Sequence, residues 1–361
     1  MKVVIIGAGV AGLGIGWRLA QAGVDVTVLE RAQPASGASW AAAGMIAATA
    51  ELEAGSPELE FAKYSNDLWP SFAQELEQTI GDTIGYRQSG ALMLAQDAAG
   101  LEALARSAPG LKLLDPSQTR AMVPLLTGEY AGALWAEREA HVDNRSLGYG
   151  LALAFRAAGG KLIVNEAVVR IERRGGRAAV AHTPYAFHHA DIFVLAAGAW
   201  SGMIEPELVP VAPVKGEMIA LAPPDGIDPP VPYILADGVY AVPRGRLLLL
   251  GATVEDAGFN THLTHHAAAL LRSRAEAVMP GLRDWSLVDH WAGLRPRAPD
   301  GLPLLGPTRL EGLYVAGGQY RNGILFTPAI ARMMADLVMG RGEAIPAFDP
   351  RRFESGARPD N

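Results

Sequence analysis

The first 31 residues place a strand, a glycine-rich turn, a helix and a second strand in immediate succession. Residues 3–6 are a continuous apolar run, which is typical of a strand buried on both faces of a parallel sheet. The sequence GAGVAG follows at residues 7–12, a helical segment extends to about residue 23, and residues 24–29 form a second apolar strand. This is the order and length of one β-α-β unit, so the segment predicts a dinucleotide-binding fold.

Each glycine of the GAGVAG turn meets a requirement of dinucleotide binding. Gly7 lets the chain turn off the strand, Gly9 lets a pyrophosphate approach the backbone, and Gly12 lets helix and strand pack closely. The phosphates would then bind N–H groups at the helix N-terminus. Glu30 is placed to accept hydrogen bonds from a ribose, and an acid there disfavours a 2′-phosphate. The motif favours FAD or NAD over NADP and leaves open a purely structural turn.

Composition excludes several kinds of partner and chemistry. The 361 residues are enough for two domains with separate cores. With 31 basic and 38 acidic residues, a net charge of −7 and no basic stripe, we expect no nucleic-acid partner. The absence of cysteine excludes disulfides, thiolate metal sites, a catalytic thiol and a cysteine-linked flavin.

The apolar segments predict a protein without a membrane-spanning helix. The run after Lys2 belongs to the fold and not to a signal peptide, and no apolar stretch reaches the roughly 18 residues of a spanning helix. We therefore expect no transmembrane segment and a soluble protein. Because the lack of cysteine is compatible with a reducing compartment, we expect a cytoplasmic location.

The segment that follows Glu30 is rich in small side chains, with SGASWAAAGMIAA at residues 36–48. One interpretation is the start of an alanine-rich buried helix. The other is a loop and helix N-terminus that lie against a large flat ligand. The position directly after a ribose-binding acid favours the second interpretation.

Periodicity and turn signals predict the remaining elements. The expected helices are residues 57–80, 101–107, 144–158 (with Asp143 or Asn144 as N-cap), 264–279 and a last one that ends near 339. The expected strands are residues 86–95, 134–136, 161–164, 168–173, 178–182, 191–197, 214–221, 239–243, 246–253 and 313–316. Rossmann-like pieces thus alternate with β-rich, antiparallel inserts, so the domains are discontinuous in sequence.

Two further groups of residues are candidates for binding sites. His182, His188 and His189 lie in a polar meander in which no acids are placed for metal binding, so we expect these histidines to be solvated and expect no metal site. Near the C-terminus, the glycine-rich sequence GGQYRNGI at residues 317–324 enters a helix and would supply N–H donors to an anion or a ring edge. We expect Arg295 and Arg321 at strand-end turns beside it.

The chain resembles the D-amino-acid oxidase superfamily of flavoproteins and, within it, the glycine oxidase (ThiO-type) group. The resemblance covers nearly all 361 residues. It rests on GAGVAG with Glu30 and on the following segments: ASWAAAGMIA, LAAGAWS, PVKGEMIAL, VYAVPRG, LLLLGAT, WAGLRPRAPDGLPLLG and GGQYRNGILFTPA. The last two are the most specific.

The resemblance implies an α/β protein. A Rossmann-like, glutathione-reductase-like FAD domain would comprise residues 1–81, 138–211 and 291–361, and an antiparallel β-rich substrate domain would comprise 82–137 and 212–290. FAD would be noncovalent. Taken with the turn glycines, the expected cofactor-binding residues are Gly7, Gly9, Val10, Ala11, Gly12, Glu30, Arg31, Ala38, Ser39, Ala43, Gly44, Met45, Val168, Ala197, Gly198, Trp200, Gln319, Tyr320, Arg321, Asn322, Gly323, Ile324 and Leu325.

The resemblance also implies a substrate site. The substrate carboxylate would bind Arg295, with Tyr240 as its partner and Arg321 as a second arginine, and Glu51 would lie behind them. A histidine that some relatives carry is replaced here by Gly238, and their pocket methionine by Val254, which leaves the preferred amine open.

Each of these side chains also has a structural interpretation. Arg295 would tie a loop to the sheet, Tyr240 would be a half-buried strand aromatic, and Arg321 would pair with a carboxylate of the fold. Trp200 and Tyr320 would simply pack.

The function implied by the resemblance is oxidative deamination of glycine, another small amine or a D-amino acid. Hydride transfer to flavin N5 would give a 2-oxo acid, ammonia and, with O₂ as acceptor, H₂O₂; the reaction would feed synthesis of the thiamine thiazole. The sequence leaves three alternatives open, namely a D-amino-acid or proline-type FAD dehydrogenase with another acceptor, a sarcosine oxidase and a non-catalytic dinucleotide sensor. A homo-oligomer is compatible with the sequence.

Overall fold

The structure is a computed structural model that describes residues 1–50, 52 and 55–353. Glu51, the acid expected behind the substrate-binding residues, lies outside the described residues. The described helices are α1 Val10–Gln21, α2 Ala38–Ala41, α3 Pro57–Ile80, α4 Ala98–Ser107, α5 Pro116–Met122, α6 Asn144–Ala157, α7 Ser201–Ile204, α8 His265–Val278 and α9 Thr327–Val338. The described strands are β1 Lys2–Ile6, β2 Asp25–Leu29, β3 Met45–Ile46, β4 Ala91–Ala95, β5 Lys112–Leu114, β6 Gly132–Ala136, β7 Ala140–His141, β8 Lys161–Ile163, β9 Arg170–Arg174, β10 Arg177–His182, β11 Phe187–His189, β12 Ile192–Leu195, β13 Ala212–Ala222, β14 Tyr233–Ala236, β15 Val239–Arg244, β16 Leu247–Gly251, β17 Ser286–Arg297, β18 Leu304–Pro307 and β19 Leu313–Gly317.

A six-stranded sheet forms one half of the molecule, in the order β18-β19-β12-β1-β2-β8. All neighbours are parallel except β18, which pairs antiparallel with β19. β1 buries four of its five residues because helices cover one face of the sheet and loops with the β9–β11 ribbon cover the other. The expected Rossmann-like α/β fold is confirmed.

An eight-stranded sheet forms the other half, in the order β17-β13-β16-β15-β14-β4-β6-β5. Its neighbours are antiparallel apart from the β14–β4 pair. Side chains alternate between its two faces. One face packs on α8 through residues such as Leu271 and Ala275, and the other turns Met218, Tyr240 and Trp291 toward the six-stranded half.

Two strands differ from the sequence expectation. The strand expected at 86–95 begins only at Ala91, because Gly90 has a φ of +72° and lies against the Trp135 ring. The segment that contains Arg295 is not a turn but part of β17, which pairs with β13 along its whole length. A proline at position 296 is tolerated there because β17 is an edge strand. β17 also crosses the expected domain boundary at residue 291, and the domain limits stay a prediction.

The expectation that His182 and His188 are solvated is wrong, because both side chains are largely buried beside an acidic partner. His182 Nε2 lies 2.5 Å from a carboxylate oxygen of Glu172, and His188 Nε2 lies 3.2 Å from one of Glu166. Pairing of neighbouring strands in the β9–β11 ribbon brings these groups together, which the separation in sequence conceals. Within residues 1–50, 52 and 55–353, no group of three His, Asp or Glu side chains could hold a metal ion.

A buried histidine on β7 makes the stability of the fold depend on pH. Burial, and to a smaller extent the charge of the neighbouring Arg87, lowers the pKa of His141 to about 4. In the unfolded chain this histidine has a pKa near 6.5. Between pH 6.5 and 4 the unfolded state therefore holds more protons than the folded state, and the free energy of unfolding decreases as the pH is lowered. We expect wild type to lose about 2 kcal/mol of unfolding free energy at pH 5 relative to pH 7 through this group. The His141→Gln variant should lack that part of the loss in urea unfolding at the two pH values; equal losses in both proteins would contradict the assignment.

Candidate active site

A cavity of about 1320 Å³ lies between the carboxyl ends of the parallel strands and the inner face of the eight-stranded sheet. Ligands of open α/β sheets bind at such an edge. Among the described candidates, every expected site residue except Gly12 lines this cavity. Residues that are far apart in sequence, from the first turn to position 325, are thereby brought together.

The glycine turn forms one end of the cavity as its sequence predicts. Gly7 has a φ of +106°, which excludes a side chain, and Gly9 is the N-cap of α1. The Glu30 carboxylate accepts hydrogen bonds from the backbone N–H of Ala8 (2.8 Å) and of Ala32 (2.9 Å). Gly12 does not reach the cavity; a methyl group there would collide with the Gly7 carbonyl oxygen and with Ile5. Its role is therefore packing, which keeps the turn against β1.

The small-residue segment around α2 is held from behind through its carbonyl groups. The Asn144 amide donates to the carbonyls of Ser39 (2.7 Å) and Trp40 (3.0 Å). Trp291 Nε1 donates to Ala41 O at 2.9 Å, and a guanidinium of β15 donates to the next carbonyl. With its carbonyls engaged on the far side, the segment presents small side chains to the cavity. This agrees with the interpretation that it faces a large ligand.

The residue that donates to the Ala42 carbonyl is Arg244, which sequence reasoning missed. Its Nη2 lies 3.1 Å from Ala42 O and 2.7 Å from Asn144 Oδ1. Burial, and then repulsion from Arg145, lowers the pKa of Arg244 to about 10. Arg244 lies four residues after Tyr240 on the same strand, so it links the substrate-facing sheet to the small-residue segment.

An aromatic stack lies beside the Glu30 end of the cavity. The Arg31 guanidinium lies 3.4 Å from the centre of the Trp200 ring, and the tilted Phe259 ring lies 5.4 Å from the same ring between centroids. Val168 lines the same region. Trp200 is thus more than a packing residue, because it forms cavity wall while it stacks on a cation.

The segment at 319–325 is held from behind by α3. Ser65 Oγ and Trp69 Nε1 donate to the Leu325 carbonyl at 2.7 and 2.9 Å. Tyr320 adopts a left-handed φ of +47°, which turns the chain into the loop before α9. The Gln319 amide nitrogen is buried in the cavity wall, and no described residue accepts its hydrogens. A buried amide donor without a protein acceptor fits a bound polar ring edge.

The opposite wall of the cavity carries Arg295 on β17 and Tyr240 on β15, whose side chains approach each other across the two intervening strands, β13 and β16. The Arg295 guanidinium lies over Gly216, where the Cζ atom is 2.5 Å from the position of a Cβ. The Tyr240 ring lies over Gly251 in the same way, and its hydroxyl group is 3.6 Å from Met218 Sδ. Positions 216 and 218 share a face of β13 and are separated by roughly 7 Å, given about 3.3 Å per residue.

These glycines were not singled out from the sequence. Three glycines on adjacent strands leave the inner face of the sheet flat, namely Gly216, Gly251 and Gly293. Gly216 makes room for the Arg295 side chain, Gly251 for the Tyr240 side chain, and Gly293 for Ala41. Each occurs in a motif of the resemblance (KGE, LGA and AGL), but only strand register shows that they adjoin. A flat floor beneath a cation and a hydroxyl group suits a small anionic ligand.

The guanidinium of Arg295 is held by main-chain acceptors. Its Nη1 donates to the carbonyls of Thr253 (3.1 Å) and, more weakly, Lys215 (3.4 Å). Arg321 is exposed at the rim with its guanidinium 5.3 Å from the Tyr320 ring centre. Val254 also lines the cavity, and Arg274 fills the space that a side chain at Gly238 would occupy.

The chain is similar to known proteins over nearly its whole length. The model of the family described as DAO, FAD dependent oxidoreductase, matches residues 2–337. A glycine oxidase of Pseudomonas aeruginosa is 33% identical over 99% of both chains. The crystal structure of glycine oxidase from Geobacillus kaustophilus superposes with a TM-score of 0.92 at 32% identity, over 97% of this chain and 99% of that one.

A longer relative matches equally well. The bifunctional protein ThiO/ThiG of Synechocystis sp. is 36% identical over 99% of this chain, which spans about half (55%) of the length of that relative. In the described part of the chain, no helix has the length and apolar character needed to cross a membrane.

Proposed function

The chain belongs to the family of FAD-dependent oxidoreductases, and on that premise we propose that it oxidises glycine to a 2-oxo acid and ammonia. The observation that carries the proposal is the convergence of Arg295 and Tyr240 over a glycine floor, in the same cavity as the dinucleotide-binding turn. Full-length relatives named glycine oxidase support the choice of substrate. They favour an oxidase over the dehydrogenase and sensor alternatives.

FAD is the cofactor of this family, and the cavity fits it. We propose that the pyrophosphate binds at the N-terminus of α1 beside Gly9, where N–H groups and the helix dipole favour an anion. Glu30 would accept the ribose hydroxyls, and the unpartnered Gln319 amide would meet the polar edge of the flavin ring. The residues at 38–45 would lie along the pyrophosphate and ring. In the absence of cysteine, no cysteinyl linkage forms.

The protein contributes binding and orientation to the reaction. Arg295 would bind the substrate carboxylate through its remaining N–H groups, with Tyr240 as the second donor. An anchored carboxylate fixes the direction of the neighbouring Cα–H bond, which reduces the entropic part of the barrier. When bound, FAD supplies the acceptor for the hydride that the amine loses. With no dedicated base among the expected site residues, we propose that solvent or a backbone carbonyl accepts the amine proton.

The product and location are also proposals. The likeness to a ThiO/ThiG protein supports a 2-oxo acid or imine product that feeds synthesis of the thiamine thiazole. A chain without cysteine is compatible with the reducing cytoplasm.

Release of H₂O₂ by the purified holoenzyme tests the proposal. We expect the highest kcat/KM with glycine in a panel that also contains sarcosine, D-alanine and D-proline. Glycinamide is the matched control, because it keeps the amine and Cα–H bonds of glycine but lacks the carboxylate that Arg295 would bind. The proposal fails if glycinamide is oxidised as well as glycine, or if a dye is reduced while no H₂O₂ forms.

A further inference from the structure

A buried ion pair lies on the side of β13 that faces away from the cavity. Lys215 is 2% exposed and Glu217 is fully buried. Lys215 Nζ donates to Glu217 Oε1 (2.7 Å), Glu255 Oε2 (3.1 Å) and the carbonyl of His262 (2.6 Å). All three N–H groups of the ammonium therefore have acceptors, and two of these acceptors belong to the segment between β16 and α8.

The carboxylate of Glu217 holds the same segment at its end. Thr264, the N-cap of α8, donates to Glu217 through its backbone N–H (3.0 Å) and its hydroxyl group (3.1 Å). His290 Nε2 lies 2.7 Å from Glu217 Oε2, the oxygen that also accepts the Thr264 backbone N–H. Burial raises the pKa of Glu217. The hydrogen bonds, of which the one from Lys215 has the largest effect, outweigh burial and bring this pKa below its usual value. The carboxylate is therefore ionised and fully partnered.

The start of the segment is fixed to β13 by main-chain bonds. Lys215 and Glu255 exchange both N–H···O bonds at 3.0 Å. Thr253 N donates to Glu217 O at 3.2 Å, and Thr253 Oγ1 accepts from Glu217 N at 2.8 Å. The ion pair and these bonds together set the position of the Thr253 and Lys215 carbonyls.

Those two carbonyls are the acceptors that hold Arg295. Its Nη1 donates to Thr253 O at 3.1 Å and to Lys215 O at 3.4 Å, and the structure shows no acidic partner for this guanidinium among the described residues. The orientation of Arg295 is thus determined by main chain that Lys215 and Glu217 clamp from the opposite side of the strand.

Stability alone is a weak reason for such a pair. Removing two charges from water costs several kcal/mol per ion, and apolar replacement of a buried pair is often neutral or stabilising. What an ion pair offers in exchange is a defined geometry, since each hydrogen bond specifies a position.

We propose that Lys215 is a positioning residue for the substrate carboxylate, acting through Arg295. The inference rests on the proposed role of Arg295. Lys215 does not contact the substrate. Loss of the Lys215 side chain therefore weakens carboxylate binding only when the Arg295 guanidinium is present.

The test is a double-mutant cycle with acetate as a non-reacting carboxylate. Acetate affinity is measured from the change in flavin absorbance of the holoenzyme in wild type, Lys215→Met, Arg295→Lys and the double variant. Arg295→Lys keeps a positive charge, so weakened binding stays measurable. We expect Lys215→Met to raise the acetate Kd about tenfold in the wild-type background and less than about twofold in the Arg295→Lys background. FAD affinity should change little.

Other outcomes overturn the inference. An equal loss in both backgrounds means that Lys215 acts by general destabilisation, and an unchanged acetate Kd means that it does not position Arg295. If Lys215→Met does not fold, Glu255→Gln replaces it in the same cycle, since this partly exposed side chain also binds Lys215. Comparison of wild type with Arg295→Lys tests the proposed function separately from the inference. If wild type binds acetate no better than Arg295→Lys, both the proposed carboxylate site and the inference are wrong.

Discussion

Replacement of Arg295 by alanine is expected to lower kcat/KM for glycine by roughly 30- to 1000-fold. The estimate corresponds to loss of a charge-assisted contact worth about 2–4 kcal/mol in the transition state. The effect should be large because the guanidinium lies on the same cavity wall as Tyr240, where a single small carboxylate would meet both donors. FAD content should stay unchanged, since Arg295 belongs to the eight-stranded sheet and lies away from the glycine turn.

Steady-state kinetics and the flavin absorbance of the same preparations measure this. Arg246→Ala is the matched control, because it removes the same charge from the exposed turn between β15 and β16. The control should retain kcat/KM within about twofold. Activity of Arg295→Ala within a few-fold of wild type on glycine would show that Arg295 is a structural residue.

Gly12→Val should produce the largest loss of cofactor. A Cβ at this position collides with the Gly7 carbonyl oxygen and approaches Ile5 Cγ2 to 3.3 Å, so α1 must move away from β1. Overpacking of this kind costs about 3 kcal/mol when the neighbours are backbone. Because the moved helix end is the proposed pyrophosphate site, the FAD dissociation constant should rise by at least about tenfold.

The control for this variant lies on the same helix. At Gly14 the added methyl of an alanine meets the Ala331 methyl at 3.1 Å and no carbonyl within 3.8 Å. Gly14→Ala should therefore bind FAD almost as wild type does and unfold at a similar denaturant concentration. Fluorescence titration of apoprotein with FAD and urea unfolding give the two quantities. Equal FAD affinity in Gly12→Val and wild type would contradict the assigned packing role.

The parts of the structure that the sequence predicts well are those set by local signals. The unit from β1 to β2 is formed by one continuous segment of the sequence. Helix α6 begins after its N-cap, Asp143, whose carboxylate accepts hydrogen bonds from the backbone N–H groups of Arg145 and Ser146. Hydrophobic period and capping chemistry decide such elements within a few residues. The long helix at 57–80 has the expected limits, with Ser56 as its cap.

The geometry of the site depends on register between distant strands and could not be read locally. Gly216, Gly251 and Gly293 adjoin only because β13 pairs with both β16 and β17. The proline directly after Arg295 suggests a turn, whereas at an unpaired sheet edge the strand continues through Pro296 to Arg297. The assignments of Arg295 and Tyr240 came from resemblance, and they stay predictions until the variants are measured.

The Lys215 cluster shows a second kind of limit. Lys215 and Glu217 alternate on one strand, which the sequence shows, but Glu255 and His290 join them from two other parts of the chain. Neither composition nor spacing indicates that four ionisable groups share one buried site. Such clusters become visible only in three dimensions.

The hydrogen bonds that hold the small-residue segment from behind limit how this protein can be engineered. Trp291 and Arg244 extend from one sheet to hold main-chain oxygens of Ala41 and Ala42, beside the other sheet, and Arg244 shares this task with Asn144. The two halves are therefore not interchangeable modules. A chimaera that carries residues 212–290 of a relative in this chain would need an arginine at position 244 to bind the Asn144 amide. Without that arginine, a change made to alter the substrate range would also displace the segment proposed to bind the cofactor.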